Sequence, residues 1–346
     1  MSEAMNISFT PQLGRAWQRM KAFLFQPFDL GRWFVLGFTA FLVHLDSGGG
    51  GGNSGIQFRD KLDRHHVGEW TDTVSEYYEE ILSNAWLIML AGFVLLVGIF
   101  LGILFLWLSS RGRFMLLDNL VQNRTEVKRP WTQYAAQGDS LFRWQLVFML
   151  VCFLVFGLFG GAMLLLFLPL GLMGLDGIFV VPLVVLAGAL GFALIVTIIY
   201  IEFFLHNFVV TIMYRERIST TEAWARFKPL FNQHPGSLVG YGLFYLLVSF
   251  AGAMALLMGG VLTCCLGLFL LALPYIGSVV SLPLTVTLRF WDLEFLGQFG
   301  PQFQVLGPLP TDPDHRSIYD DGDGTVVGPE DLGEDPGGSQ TGPQDL

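Results

Sequence analysis

From Ala85 to Leu108 the chain runs for 24 residues without a charged side chain. Wound as a helix, such a run is about 36 Å long, enough to cross the ~30 Å hydrocarbon core of a bilayer. Ile178 to Ile201 matches it in length, and four further apolar runs join them. The expected spans lie at about 30–45, 85–108, 145–167, 178–201, 237–258 and 270–291. The predicted fold class is therefore all-α: a polytopic membrane protein with six transmembrane helices paired as three hairpins. A mean hydropathy of +0.55 with only 14% charged residues excludes an ordinary soluble domain. The first run, 16 residues, is short for a span, and a signal peptide is its rival reading. Its 27-residue structured lead and the lack of an Ala-x-Ala site are the wrong flanks for one. Pro274 and Pro283 predict kinks in the sixth run.

Charge sets the expected topology. The connection between the second and third spans carries Arg111, Arg113, Arg124, Lys128, Arg129 and Arg143, and that between the fourth and fifth is basic too. The alternate connections after the third and fifth spans carry no Lys or Arg. By the positive-inside rule both termini face the cytoplasm and the acidic loop 46–84 faces outward, in a bacterial cytoplasmic membrane. Within that loop Gly48 to Gly52 read as a flexible linker, and Val67, Trp70, Val74, Tyr77 and Ile81 keep helical spacing. Residues 300–346 are rich in Pro, Gly and Asp, and predict a disordered acidic tail.

Each odd-numbered span is preceded by a short amphipathic segment. Thr10-Pro11 opens the first, with Leu13, Trp17, Met20 and Leu24 on one face. The third opens with Ser219-Thr-Thr-Glu222, a capping box, followed by Trp224, Phe227 and Phe231 on one face. Superposing Trp17, Trp131 and Trp224 suggests a threefold repeat of interfacial helix plus hairpin. Arg124 and Arg217 both stand seven residues before their tryptophan. The even spans end alike, in Arg113-Phe114, Asn207-Phe208 and Arg289-Phe290. Interfacial Trp fixes depth and Arg can hold phosphate, so Trp17, Trp131, Trp224, Arg124 and Arg217 are the expected membrane anchors.

The stretches AWQRMKAFLFQPFDLGRWFVLGF, RFMLLDNLVQNR with PWTQY, and RFWDLEFLGQFGP resemble uncharacterised bacterial multi-pass proteins. Those are similar in turn to the membrane domain found with some glycerophosphoryl diester phosphodiesterases. There the hydrolase is a separate soluble barrel, for which this chain has no room, so the resemblance implies a membrane fold and transfers no activity.

Little in the sequence carries chemistry. Glu202 and His206 share one helix face, four residues apart, but fall at the end of the fourth span and read as an interfacial pair. Arg289 and Asp292, three apart, are expected to satisfy each other. The mid-span regions hold no acid or base, which argues against ion-coupled transport. Cys152 and the Cys264-Cys265 pair read as small core hydrophobes, and His65-His66 as solvated. Gly98 with Gly102 and Gly157 with Gly161 read as close packing within the chain. Asp321, Asp323, Gly324, Val326 and Glu330 partly fit a calcium loop, but Tyr319 stands where its first ligand belongs. The expectation is a non-enzymatic membrane scaffold needing no cofactor or metal. Its partners are membrane lipids and a protein bound through the interfacial helices or the tail, not nucleic acid. The alternative is a translocator of a lipid or other apolar solute.

Overall fold

The computed structural model describes residues 8–45, 85–172, 177–263 and 266–308. The glycine linker, the helix expected in the outer loop, His65-His66, the Cys264-Cys265 pair and the calcium-loop pattern lie outside the described residues. The chain divides into a unit Met1–Leu306 and a unit Gly307–Leu346, and almost everything described belongs to the first.

Among the described residues the regular structure is entirely helical: α1 (Thr10–Phe25), α2 (Leu30–His44), α3 (Ala85–Val121), α4 (Lys128–Gln133), α5 (Ala135–Leu172) and α6 (Gly177–Phe204). A π-helical segment, Leu205–Val209, joins α6 to α7 (Val210–Glu216). Then come α8 (Thr220–Gln233), α9 (Pro235–Leu262), α10 (Leu266–Ala272), α11 (Pro274–Val280), α12 (Leu282–Gly297) and a 3₁₀ turn, Pro301–Phe303.

Among the described residues four helical rods are long and apolar enough to cross a membrane: Trp86–Val121, Ala135–Phe167, Val180–Glu216 and Pro235–Leu262. The first and sixth predicted spans have no single helix of that length. Helix α2 has 15 residues, and the sixth run is divided into α10, α11 and α12. Leu273, ahead of Pro274, is extended, and Pro283 lies in the first turn of α12. The two prolines thus break the run where kinks were expected, because each lacks an N–H and crowds the preceding turn.

The long helices also outrun their apolar stretches. Helix α3 continues from Leu108 to Val121, so Arg111 and Arg113 are helical rather than part of a loop. The extension is held by protein instead of lipid. On α3 the side chains of Phe93, Phe100 and Phe105 are exposed, whereas Phe114, Met115 and Leu117 are fully buried. The same division recurs on α5, α6 and α9, where Phe153, Phe192 and Phe250 are exposed and Leu141, Phe204 and Tyr241 are buried. From Trp86 to Phe105 the exposed stretch is 20 residues, about 30 Å, which matches a hydrocarbon thickness. Contiguous apolar surface of that extent is costly in water and costs nothing in lipid.

The buried halves meet in a base built from α1, α7, α8, α12 and the ends of the long helices. Its core is aromatic: the Tyr241 ring stacks on Phe295 at 3.9 Å, and Phe208 lies against Phe227 at 5.8 Å. Helix α8 starts as the sequence predicts, with Glu222 accepting from the Ser219 N–H at 3.0 Å in a capping box. That bond and the Ser219 side chain hold the Glu222 carboxyl below the usual carboxylate range. Helix α1 turns its buried face differently from the expected one. Gln12, Ala16, Met20, Phe23 and Leu24 are buried against the protein, and Trp17 is 47% exposed.

Two further expectations are corrected. A Cβ placed on Gly98, Gly102, Gly157 or Gly161 would meet nothing within 4 Å, so these glycines do not pack helices within the chain. Close approaches between helices occur elsewhere, among them Gly37, where a Cβ would lie 2.3 Å from Val279, and Gly112, 2.7 Å from Leu42. Residues 300–306, expected to begin the disordered tail, instead belong to the base. Arg215 donates to the carbonyls of Pro301 and Gln304, and Leu306 is buried.

Candidate functional site

Six elements close a ring of contacts: α2 on α3, α3 on α5, α5 on α6, α6 on α9, α9 on α12, and α12 back on α2. Around it the short helices dock in a matching order, α1 on α12, α4 on α3 and α8 on α7. Inside the ring is a cavity of about 480 Å³, within the ~300–1,000 Å³ range of small-ligand sites. Arg113, Asn207 and Arg289, the three polar residues that end the predicted even spans alike, all line it. Equivalent positions of the repeating pattern therefore converge on one place.

Each side chain arrives from a different element. Arg113 comes from α3 and is buried beside Phe114. Gln145 comes from α5, and its Oε1 accepts from the Ser110 hydroxyl at 2.7 Å. His206 and Asn207 sit on the π segment, where one extra residue per turn re-aims side chains; such bulges are frequent at functional sites. The His206 carbonyl accepts from Arg289 Nη1 at 2.8 Å. Arg289 and Asp292 are adjacent on the inner face of α12.

The expected Arg289–Asp292 pairing is only partly made. Their closest charged atoms are 3.6 Å apart, beyond good hydrogen-bond range. Asp292, 1% exposed, instead takes a hydrogen bond on Oδ1 from the Tyr241 hydroxyl at 2.9 Å. Its Oδ2 is buried without a hydrogen-bond partner, and so is His206 Nδ1. Glu202 lies toward the opening and is exposed. All four weak candidates of the sequence reading, Glu202, His206, Arg289 and Asp292, thus line the same cavity.

The cavity has a direction. On α3, Leu106 and Arg113 both line it and are seven residues apart, roughly 10 Å along the axis. Leu106, Met149 and Val43 lie on the apolar side, and Arg113, Arg289 and Asp292 on the side of the buried base. The chamber carries two guanidiniums and Asp292 toward the base, and Leu106, Met149 and the exposed Glu202 line the rest.

The predicted anchors sit elsewhere. Trp17 is the exposed tryptophan among them, with Lys21 Nζ 5.4 Å from its ring centre. Trp131 meets Trp107 edge-on at 5.7 Å, and the Arg111 guanidinium lies over both rings. Arg111 in turn forks onto Asp139 with contacts of 2.9 to 3.1 Å. Trp224 stacks on Trp144 at 5.8 Å, so its ring faces protein. Arg217 adopts a left-handed backbone at φ 55° and lies over Tyr134, and the Arg124 N–H caps Asn119. None of the five lines the cavity. Sequence reasoning missed Arg113, Gln145, Asn207 and Tyr241 as site residues. The signal for two of them was the matched ending of the even spans.

A family of unknown function, DUF7544, matches residues 8–276. No curated protein and no solved structure matches the chain.

Proposed function

We propose, for a chain that belongs to the DUF7544 family of unknown function, a non-enzymatic integral membrane scaffold that contacts lipid or another component of the envelope. In this reading α2 and the broken run α10–α12 complete six spans in three hairpins. Both termini face the cytoplasm of a bacterial cell, and the base lies at the inner membrane surface. The observation that carries it is the split along each long helix between an exposed apolar half and a buried half. The base is stapled between elements far apart in sequence. Arg19 on α1 pairs with Glu294 on α12 at 2.6 Å, Arg111 on α3 with Asp139 on α5, and Tyr214 donates to Asp118 at 3.0 Å. Such fastening suits a body that holds its shape while presenting helix surfaces. A likeness to the membrane domain found with some glycerophosphoryl diester phosphodiesterases, expected from the sequence motifs alone, would fit a lipid-contacting role and brings no activity with it.

The second reading, translocation of a lipid, is favoured by one observation: a charged cavity lies among helices whose outer halves are apolar. A scrambling assay decides between them. In proteoliposomes carrying a fluorescent phospholipid, the scaffold reading expects flip rates equal to those of protein-free vesicles. Protein-dependent bleaching of both leaflets by an impermeant reductant would overturn it in favour of the translocator.

A further inference from the structure

The geometry points to the cavity as a binding site for one zwitterionic phospholipid headgroup, a phosphodiester joined to a primary ammonium, as in phosphatidylethanolamine. This deepens the scaffold reading and rests on it.

Three features carry the inference. First, two guanidiniums, Arg113 and Arg289, line one chamber, with Asp292 Oδ2 3.6 Å from Arg289. Guanidinium forks match phosphate oxygens in geometry, and Asn207 and Gln145 add amides beside them. Second, the chamber is balanced rather than basic, since Glu202 and Asp292 also line it. Asp292 Oδ2 is buried and lacks a hydrogen-bond donor. A lone phosphate has nothing to offer that oxygen, whereas a primary ammonium brings three N–H groups. Third, beside its charged residues the chamber is lined by Leu106 of α3 and Phe148 and Met149 of α5, helices whose outer halves are apolar and exposed. A lipid with its headgroup on the floor would have its chains among exposed side chains such as Phe100 and Phe153. A water-soluble phosphate ester has no use for that surface.

The quasi-threefold layout sharpens the assignment. Two of the converging positions are Arg and the third is Asn207, on the π segment. The site is therefore lopsided, with guanidiniums from α3 and α12 and an amide from the π segment, and its acids are Asp292, beside Arg289 on α12, and Glu202 on α6.

The test is native mass spectrometry of the full-length protein, released from detergent after mixing with phosphatidylethanolamine, phosphatidylglycerol and phosphatidylcholine of equal chain length. One phosphatidylethanolamine per chain is expected, preferred over phosphatidylcholine by about tenfold because a quaternary ammonium cannot donate to Asp292. Arg113→Gln should lower retention of all three lipids about tenfold. Asp292→Asn preserves the shape of the floor, so it should fold, and it should erase the preference for ethanolamine over choline while leaving phosphatidylglycerol retained. Equal retention of the ethanolamine and choline lipids by the unaltered protein would overturn the proposal, as would an unchanged preference in Asp292→Asn. Displacement of bound lipid by millimolar inorganic phosphate would reassign the floor to free phosphate and also overturn it. Selective retention together with rapid scrambling would sink the scaffold reading and leave this site standing. Unselective retention without scrambling would do the reverse.

Discussion

Removing the Tyr241 hydroxyl is the sharpest probe of the cavity floor. In Tyr241→Phe the ring keeps its stack on Phe295 at 3.9 Å and its edge contact with Trp291 at 4.8 Å, so packing is conserved. What is lost is the 2.9 Å bond to a carboxylate that is 1% exposed and already has one oxygen without a hydrogen bond. A hydrogen bond to a charged group contributes about 1.5–3 kcal/mol, and here water has no access to replace it. The expected loss is about 2 kcal/mol, or roughly 4 °C in melting temperature for a unit of this size. Tyr200→Phe is the control. Its hydroxyl donates to the Val239 carbonyl at 3.2 Å in an exposed place, and its removal should cost at most about 1 kcal/mol. Thermal melting in detergent followed by tryptophan fluorescence reads both variants. A double-mutant cycle with Asp292→Asn isolates the pair, and the effect of Tyr241→Phe should shrink by more than half in that background. If Tyr241→Phe melts within about 1 °C of the unaltered protein, or no lower than Tyr200→Phe, the floor is not held in the way described.

Other expectations follow from the same packing. Gly37→Ala forces a methyl into Val279 and should cost about 1–3 kcal/mol of stability, whereas Gly98→Ala and Gly157→Ala, facing open space, should be neutral to slightly stabilising in the same melting assay. A loss of oligomers on gel filtration in the last two would instead mark a partner face. Cutting the chain after Leu306 should leave the melting temperature unchanged, while cutting after Phe299 removes the carbonyls that hold Arg215 and should lower it by several degrees. The Glu222 carboxyl is held low by Ser219, so its capping contribution is full above the ordinary carboxylate range. It should fade as the pH falls below that range, through the depressed value. Hydrogen exchange in the first turn of α8 should quicken over that window in the native chain and stay flat in Glu222→Ala.

How much of this was legible beforehand depended on which solvent each residue faces. Trp86 to Phe105 is apolar on every side and exposed, and it belongs to a helix long and apolar enough to cross a membrane, as the sequence predicts. Past Leu108 the helix faces protein, where charged and apolar residues alternate, and the same rule ended the element thirteen residues early. The capping box at Ser219 was readable because both its partners lie within four residues of each other. The Asp292–Tyr241 bond joins residues 51 apart in sequence, and no local pattern announces it. Gly98 and Gly157 show the opposite failure: spacing suggested packing, but only neighbours in space decide whether a small residue is in contact. The cavity was visible only in outline, through the shared endings of three spans. That Arg113, Asn207 and Arg289 meet there depends on the ring closing, which pattern along a chain does not encode.

The clasp between α1 and α12 governs the order in which the protein can be made. Phe9 receives the Trp291 indole N–H across 282 residues, and Ser8 is tied to Gln298 across 290. At ribosomal speeds of about 5–20 residues per second, α1 emerges roughly 15 to 55 s before the helix that covers its apolar face. During that interval the face of α1 that packs on α12 is uncovered. The nascent protein must park α1 on the membrane surface or on a chaperone. The base, and with it the floor of the cavity, is assembled only after the last helix arrives.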